Sequence, residues 1–342
     1  MPYFTGDLKT RTITFQMKIA ITGATGYIGT VLTPLLLANG HQLQLLTRRP
    51  PAVAPLPAVT FVPGDLLDAA AIRQLVSGAD AVIHLAAVIS VSDQPDEQLF
   101  HTNTEGTRLL VTAAQQAGVK RFIHVSSVTA YNQVPCDEPL NEQRAAAPDT
   151  HYGYDRSKAV SQAIALAHNG NGMEVIVLAP TAVIGPYDQR PSLIGKAVIS
   201  LYKGRIPALF PGGVDFVDVR DVAQAIVNAL TMGTPGQAYL LGGAWHSLTA
   251  LSKEIGIIKG KKSNLPVLPV WLIFGMLPLV KGLAAITGGA PYYTRQSVYN
   301  LLYSNKKIDH SNARTALQFQ PRSLSVTLQD TIQWFKQTGK LS

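Results

Sequence analysis

A single cysteine, Cys136, leaves this chain of 342 residues unable to close an internal disulfide or to build a multi-cysteine metal site. That points to a reducing compartment, the cytoplasm, and no metal site is expected. Charge is sparse too: Lys, Arg, Asp and Glu make up 15% of the chain, against roughly 25% in an average globular protein. No dense Lys/Arg run is present, which sets nucleic-acid binding aside. The opening MPYFTGDLKTRTITFQ lacks the apolar core of a secretory signal, and residues 1–16 read as a short tail. No internal repeat of fixed period is visible.

Apolar residues, by contrast, are plentiful at 46%, enough for a large buried core and incompatible with a disordered or fibrous chain. The length corresponds to two domains at about 150 residues each. The net charge is +8, and from Arg295 onward seven Lys/Arg stand against two Asp. This reads as a solvated basic face, with attraction of an anionic ligand as the alternative. Leu265–Thr287 (LPVLPVWLIFGMLPLVKGLAAIT) is about as long as a membrane span. Pro266, Pro269 and Pro278 interrupt it and Lys281 lies inside it, so a buried or half-exposed helix pair is expected and membrane association is not. A membrane-surface or partner-binding face is the alternative.

The first half alternates short β-rich runs with helical stretches. Strands are expected at Met17–Thr22, Gln42–Thr47, Val59–Val62, Ala81–Leu85 and Arg121–Ser126. Helices are expected at Tyr27–Asn39 (with Pro34 inside it), Asp68–Val76 and Gln98–Ala117. RRPPAVAPLP reads as a Pro-rich loop. The strands are continuous apolar runs, the mark of a parallel sheet covered on both faces, so the fold class is α/β with a doubly wound, Rossmann-type sheet. Helix Tyr154–His168 and strand Glu174–Leu178 continue the pattern. After Pro180 it loosens, with helix Val222–Leu230 and strand Gln237–Leu241 still recognisable. Residues 17–180 are thus expected to form the nucleotide-binding domain. Residues 181–342 would interleave further sheet elements with a smaller, partly discontinuous substrate-binding region.

Gly23-Ala-Thr-Gly26-Tyr-Ile-Gly29 lies between the first strand and its helix. Gly23 permits a sharp exit, Gly26 a close approach to a pyrophosphate, and Gly29 close packing of helix on sheet. The helix N-terminus supplies N–H groups and positive dipole. The spacing is GxxGxxG, not GxGxxG. The second strand ends in Thr47-Arg48-Arg49 where an acidic residue would bind the ribose of NAD. Two guanidinium groups there suit a 2′-phosphate, so NADP(H) is expected over NAD(H), which stays open.

Tyr154-Asp-Arg-Ser-Lys158 opens a helix, placing Tyr154 and Lys158 one turn apart on the same face. A nearby ammonium is expected to lower the phenol pKa from near ~10 toward the working range. Strand five runs into Ser126-Ser127, at the sheet end where ligands bind, and a hydroxyl there can donate to a carbonyl oxygen.

Taken in order, these residues resemble the extended short-chain dehydrogenase/reductase superfamily over about residues 17–335. TGATGYIG looks like its cofactor loop, Gly64-Asp65-Leu66 its adenine-contacting segment, and His84-Leu85-Ala86-Ala87 its cofactor-lining strand end. Asn103-Thr-Glu-Gly-Thr107 resembles its N-x-x-G-T helix. HVSSVTAY is similar to its catalytic-serine strand, and YDRSK to its Tyr/Lys element. Pro180-Thr-Ala-Val-Ile-Gly-Pro186 and Asp215-Phe-Val-Asp-Val-Arg-Asp221 resemble its later signatures. The PTAVIGP form resembles dihydroflavonol 4-reductase-like and 3β-hydroxysteroid-dehydrogenase-like members. Leu178-Ala179-Pro180-Thr181 lacks the Asn usual in nucleotide-sugar epimerases.

The resemblance implies catalysis by Ser127, Tyr154 and Lys158. It implies a cofactor held by Gly23, Thr25, Gly26, Tyr27, Ile28, Gly29, Arg48, Arg49, Asp65, Leu66, Leu85, Ala86, Ala87, Asn103, Val125, Tyr154, Lys158, Pro180 and Val183. Asn103 would relay protons or fix a helix bend. Asp218 and Asp221 would hold their segment and cap a helix at Val222. The expected reaction is hydride transfer between nicotinamide and a ketone or secondary alcohol of a small, hydrophobic substrate. Tyr187, Tyr202, Phe210 and Trp271 are candidate apolar walls. An epimerase or dehydratase acting through a transient ketone is the rival enzyme, and an NADP-sensing binding protein the rival of another class. Homodimerisation is a further expectation of the resemblance.

Overall fold

The structure is a computed structural model that describes residues 16–49, 57–89, 96–148, 153–275 and 294–341. The expected tail, most of the Pro-rich loop and the end of the apolar stretch lie outside these residues.

Seven strands form one parallel sheet: β1 (Lys18–Thr22), β2 (Gln42–Thr47), β3 (Val59–Pro63), β4 (Ala81–His84), β5 (Arg121–Val125), β6 (Glu174–Pro180) and β9 (Gln237–Leu241). Their order across the sheet is β3-β2-β1-β4-β5-β6-β9. The order reverses between β1 and β4, and a doubly wound sheet opens its ligand crevice at such a reversal. The strands are apolar on both faces because both are covered. Ile19, Ile21, Ile83, Ile123 and Leu178 pack toward α1 (Tyr27–Ala38) and α6 (Val219–Asn228). Ala20, Val82, Phe122 and Val177 pack on the opposite face, toward α2 (Ala69–Val76), α3 (Glu97–Gln116) and α4 (Gly153–Ala167).

Local chemistry sets the element ends. Asp68 caps α2 by accepting from the N–H groups of Ala70 and Ala71. Gly40, with φ +83°, takes the left-handed turn after α1. Pro34 lies inside α1 without ending it.

A second sheet carries β7 (Ala182–Ile184), β8 (Gly213–Asp218) and β10 (Ala244–Ser247). With α5 (Leu193–Tyr202), α7 (Leu248–Lys259) and the final helix α10 (Leu324–Gln337) it builds a separate core around Val198, Leu251, Leu328 and Phe335. Two shorter helices, α8 (Arg295–Leu302) and α9 (Ser311–Leu317), precede α10. After residue 181, β9 returns to the large sheet beside β6, and α6 packs on α1.

Helix α6 begins three residues earlier than the sequence reading placed it. Asp218 Oδ1 accepts from the Arg220 N–H at 2.8 Å and is the cap. Asp221 lies in the first turn and instead accepts from the Arg322 N–H at 2.7 Å. Of the apolar stretch, residues 266–268 pair with Leu209, and Ile273 and Phe274 pack beside Phe210, Val298 and Leu301. Trp271 points outward, 74% exposed. Among the described residues, no helix is long and apolar enough to cross a membrane.

Candidate active site

The β1–α1 loop stands at the crevice. A Cβ on Gly23 (φ +77°) would come within 2.6 Å of the Ala86 nitrogen, so only glycine lets this turn press on the exit from β4. A Cβ on Gly29 would meet the carbonyl oxygens of Gly23 and Ala24 at 2.5 Å. Gly26 differs: it is exposed, and its Cβ would touch only the Gly23 oxygen, at 3.1 Å. Gly26 is also the N-cap of α1, which has no side-chain cap and no acidic residue in its first turn. The N–H groups of that turn, including those of Tyr27 and Ile28, are left for an anion. Thr25 is exposed at the crown of the loop. The Tyr27 hydroxyl donates to the Gly185 carbonyl at 2.6 Å, tying the loop to the end of β7. Burial raises its pKa, so it remains a protonated donor. Such a cradle fits a dinucleotide pyrophosphate.

Arg48 and Arg49 are exposed beyond β2, and neither forms an ion pair among the described residues. Asp65 is exposed after β3, accepting from the Leu67 N–H at 3.2 Å, whereas the Leu66 side chain is buried in the core. Leu85, Ala86 and Ala87 are half-buried along the crevice. Val183, on β7, packs against the large-sheet core, and Pro180 ends β6.

Asn103 is almost fully buried and acts as a brace. Its Oδ1 accepts from the Val88 N–H at 2.8 Å, and its Nδ2 donates to the Val88 carbonyl at 3.0 Å and to Ser157 Oγ at 2.9 Å. Ser157 in turn donates to the Tyr154 carbonyl at 2.7 Å. The lip after β4 and the first turn of α4 are thereby held together.

Ser127 follows β5 and caps the 3-10 turn Val128–Ala130. Its hydroxyl oxygen accepts from the Thr129 N–H at 3.2 Å and the Thr129 hydroxyl at 3.0 Å. The Tyr154 phenol lies near enough for the Ser127 hydroxyl to influence its titration. Lys158, one turn along α4, is 4% exposed and donates to the Val125 carbonyl at 2.8 Å. The three expected catalytic residues are therefore gathered at the carboxyl end of the sheet.

Their electrostatics differ from the sequence expectation. The Tyr154 pKa is raised, not lowered: burial dominates, the Asp155 charge adds to it, and the Ser127 bond only partly opposes them. Lys158 is pushed down to about 8 by burial. Both groups lose water, which disfavours phenolate and ammonium alike.

Beneath Lys158 lie two buried histidines, His84 and His124, with ring centroids 5.2 Å apart. Thr107 donates to the Asn103 carbonyl at 2.7 Å, so His84 Nε2 must carry the proton in its 2.9 Å contact with Thr107. His84 Nδ1 then accepts from Thr22 at 2.7 Å. Burial, with the Lys158 charge, takes His84 down to about 3 and His124 well down too, so both stay neutral.

Residues 19–242 match the family described as the NAD dependent epimerase/dehydratase family. The chain belongs to that family. Within this extended short-chain dehydrogenase/reductase group, it is 33% identical over 330 residues to a protein named sterol demethylase protein B from Methylococcus capsulatus, spanning 95% of this chain and all of that one. A putative dihydroflavonol 4-reductase from Synechocystis is 29% identical over 327 residues, spanning 93% of this chain and 94% of that one. The crystal structure of gox2253 superposes with a TM-score of 0.79 at 28% identity, covering 96% of this chain and 100% of that one.

The epimerase/dehydratase core does not gather the four aromatic wall candidates. Phe210 is a core residue at 1% exposure, and Tyr202 packs in the second core with Lys259 and Lys336 against its ring. Trp271 faces outward, and Tyr187 is half-exposed at φ +70° with its ring against Trp334. Aromatic identity shows apolar character, but only tertiary contacts show where it is used. Asp155, 4% exposed beside Tyr154, was not singled out as a site residue in the sequence reading. Its signal was a carboxylate inside the helical face that carries Tyr154 and Lys158.

Proposed function

We propose that this enzyme is an NADP-dependent oxidoreductase that interconverts a ketone and a secondary alcohol of a small, hydrophobic substrate. The reading is carried by the convergence of the Ser127 and Tyr154 hydroxyls beside Lys158, next to the open α1 N-terminus. The N–H groups at Tyr27 and Ile28 would hold the pyrophosphate, and Arg48 and Arg49 a 2′-phosphate. A bound nicotinamide supplies the hydride and, when oxidised, a positive charge that favours phenolate at Tyr154. Ser127 donates to the substrate oxygen and orients it. Tyr154 gives that oxygen its proton as general acid in reduction and takes it back in oxidation. The ammonium of Lys158, anchored on Val125, holds the ribose hydroxyls and stabilises the phenolate once the proton has left.

The relatives' names speak of a sterol and a dihydroflavonol, both ring systems with little charge, which favours a hydrophobic ketone. An epimerase or dehydratase working through a transient ketone is the alternative. Removing a proton from the neighbouring carbon would ask for a further base beside Ser127. Val128 and Thr129 supply none, which favours the reductase over a dehydratase. A screen of NADPH oxidation over ketone classes, with Tyr154→Phe as control, tests the reading. Stoichiometric oxidation with at least one class supports it. Turnover without net oxidation supports the epimerase or dehydratase, and function that survives Tyr154→Phe supports a binding protein.

A further inference from the structure

Tyr27 is the first residue of α1, and its backbone and side chain face different partners. Its N–H belongs to the uncapped turn that is open to an anion. Its phenol leaves the loop and donates to the Gly185 carbonyl at 2.6 Å, across 158 positions of sequence. Among the described residues this is the one side-chain hydrogen bond from the 23–29 loop to the segment that continues β7. Gly185 is enclosed on its other sides. A Cβ there (φ +146°) would meet Val219 Cγ1 at 2.8 Å, Asp218 Oδ1 at 3.2 Å and the Tyr27 hydroxyl at 3.3 Å. The glycine is wedged between the heads of α1 and α6.

The chain beyond Gly185 leaves from β6 and β7, at the carboxyl end of the large sheet where ligands bind. It then closes on its own lobe. Tyr187 adopts φ +70°, and its ring rests on Trp334 of α10. Asp188 is buried and accepts from the Ser192 N–H and the Ser192 hydroxyl, each at 2.8 Å. Ser192 caps α5 by accepting from the Gly195 N–H at 3.0 Å. Residues 186–192 are therefore fastened to the second lobe at their far end. At their near end they meet the nucleotide loop through the phenol of Tyr27.

We propose that Tyr27 is a positioning residue that sets the 186–192 segment according to whether the dinucleotide is bound. The inference rests on the ketone-reductase reading for its consequence on substrate, though not for its geometry. An occupied cradle fixes the backbone of Tyr27 through its N–H. A tyrosine has two χ angles between backbone and hydroxyl, so fixing the backbone narrows where the hydroxyl lies. The Gly185 carbonyl follows the hydroxyl, and the start of the segment follows Gly185. Such coupling is reciprocal: a molecule held by the segment returns the effect as tighter dinucleotide binding. A tie that served only to join the lobes would hold the segment equally with the cradle empty or full.

Hydrogen–deuterium exchange of the full chain, free and saturated with NADPH or with NADH, tests this. In the wild type the dinucleotide is expected to slow exchange in peptides covering residues 23–30. It should also slow exchange over 186–192, about three- to tenfold, the worth of one hydrogen bond. Tyr27→Phe keeps the ring and lacks only the donor. It should retain the slowing over 23–30 and lose it over 186–192. Slowing over 186–192 that persists in Tyr27→Phe overturns the proposal, as does its absence from the wild type. Persistence would mean that the dinucleotide reaches the segment by direct contact or that the tie is merely structural. With a ketone that the wild type reduces, Tyr27→Phe should raise KM about three- to tenfold, with a smaller change in kcat. The expected exchange pattern with no ketone reduction would sink the reductase reading and leave the role of Tyr27 standing. Ketone reduction without the exchange pattern would do the reverse.

Discussion

At the scale of single residues, the site is a small set of buried polar groups. Tyr154 is a weak acid in a buried place, and Lys158 is a weakened base beside it. Tyr154→Phe is expected to lower turnover about 10²–10⁴-fold while leaving NADPH binding in place, measured by steady-state rates against fluorescence titration. The Lys158 pKa near 8 gives a second limit. Its charge is present below that pH and lost above it, so retention of ribose and stabilisation of phenolate should both weaken as pH rises through about 8. Arg48→Ala is expected to weaken NADPH binding about tenfold, the loss of one charge-assisted contact worth about 1.4 kcal/mol, and to leave NADH binding unchanged. Equal effects on both cofactors would remove the 2′-phosphate assignment.

At the scale of elements, the glycines of the first loop separate by what stands in front of them. Gly29→Ala places a methyl 2.5 Å from two carbonyl oxygens, so the start of α1 must move and the fold should lose stability. Gly26→Ala meets one oxygen at 3.1 Å and otherwise open space. It should fold with nearly the wild-type melting temperature yet bind cofactor poorly, because the methyl occupies the pyrophosphate's approach. Thermal unfolding with and without NADPH distinguishes the two. The Asn103–Ser157 brace belongs to this scale too, since it joins the strand-four lip to α4.

At the scale of the molecule, buried aspartates hold the two lobes together. Asp218 bonds Arg220 at 2.7 Å and Thr327 at 2.8 Å, and Arg220 reaches Asp330 at 2.7 Å. Helix α6 of the large-sheet layer is thereby fastened to α10. Burial alone would raise the Asp218 pKa, but the Arg220 bonds outweigh it and the net direction is downward. Its stabilising contribution is present above the ordinary carboxyl range and is lost in acid, as pH falls through the depressed folded value. Arg220→Met, which strands Asp218 without its cation, is expected to cost about 3 kcal/mol in urea unfolding. Asp215 has the opposite sign. Burial raises it from 3.8 to about 6 despite its bonds to Thr181 and Gly243. The folded state therefore binds the extra proton, and stability falls as pH rises from about 4 to 6. That span corresponds to at most about 3 kcal/mol, which Asp215→Asn should remove from the pH profile of unfolding.

The sequence by itself determined the strand–helix alternation, the parallel sheet and the glycine cradle. Each of these follows from local rules: apolar runs, capping residues, and glycines at turns that exclude a side chain. The strand end offers both Ser126 and Ser127 and helical spacing pairs Tyr154 with Lys158, whereas the choice of Ser127 comes from the family resemblance. Only the tertiary structure decided that Tyr154 is raised in place of lowered, that Asp218 and not Asp221 caps α6, and that Phe210 and Tyr202 belong to cores. It alone revealed the neutral histidine pair beneath Lys158 and the burial of the Asp155 carboxyl. Desolvation and hydrogen-bond direction depend on which groups meet across distant segments, and no pattern along one segment records those meetings.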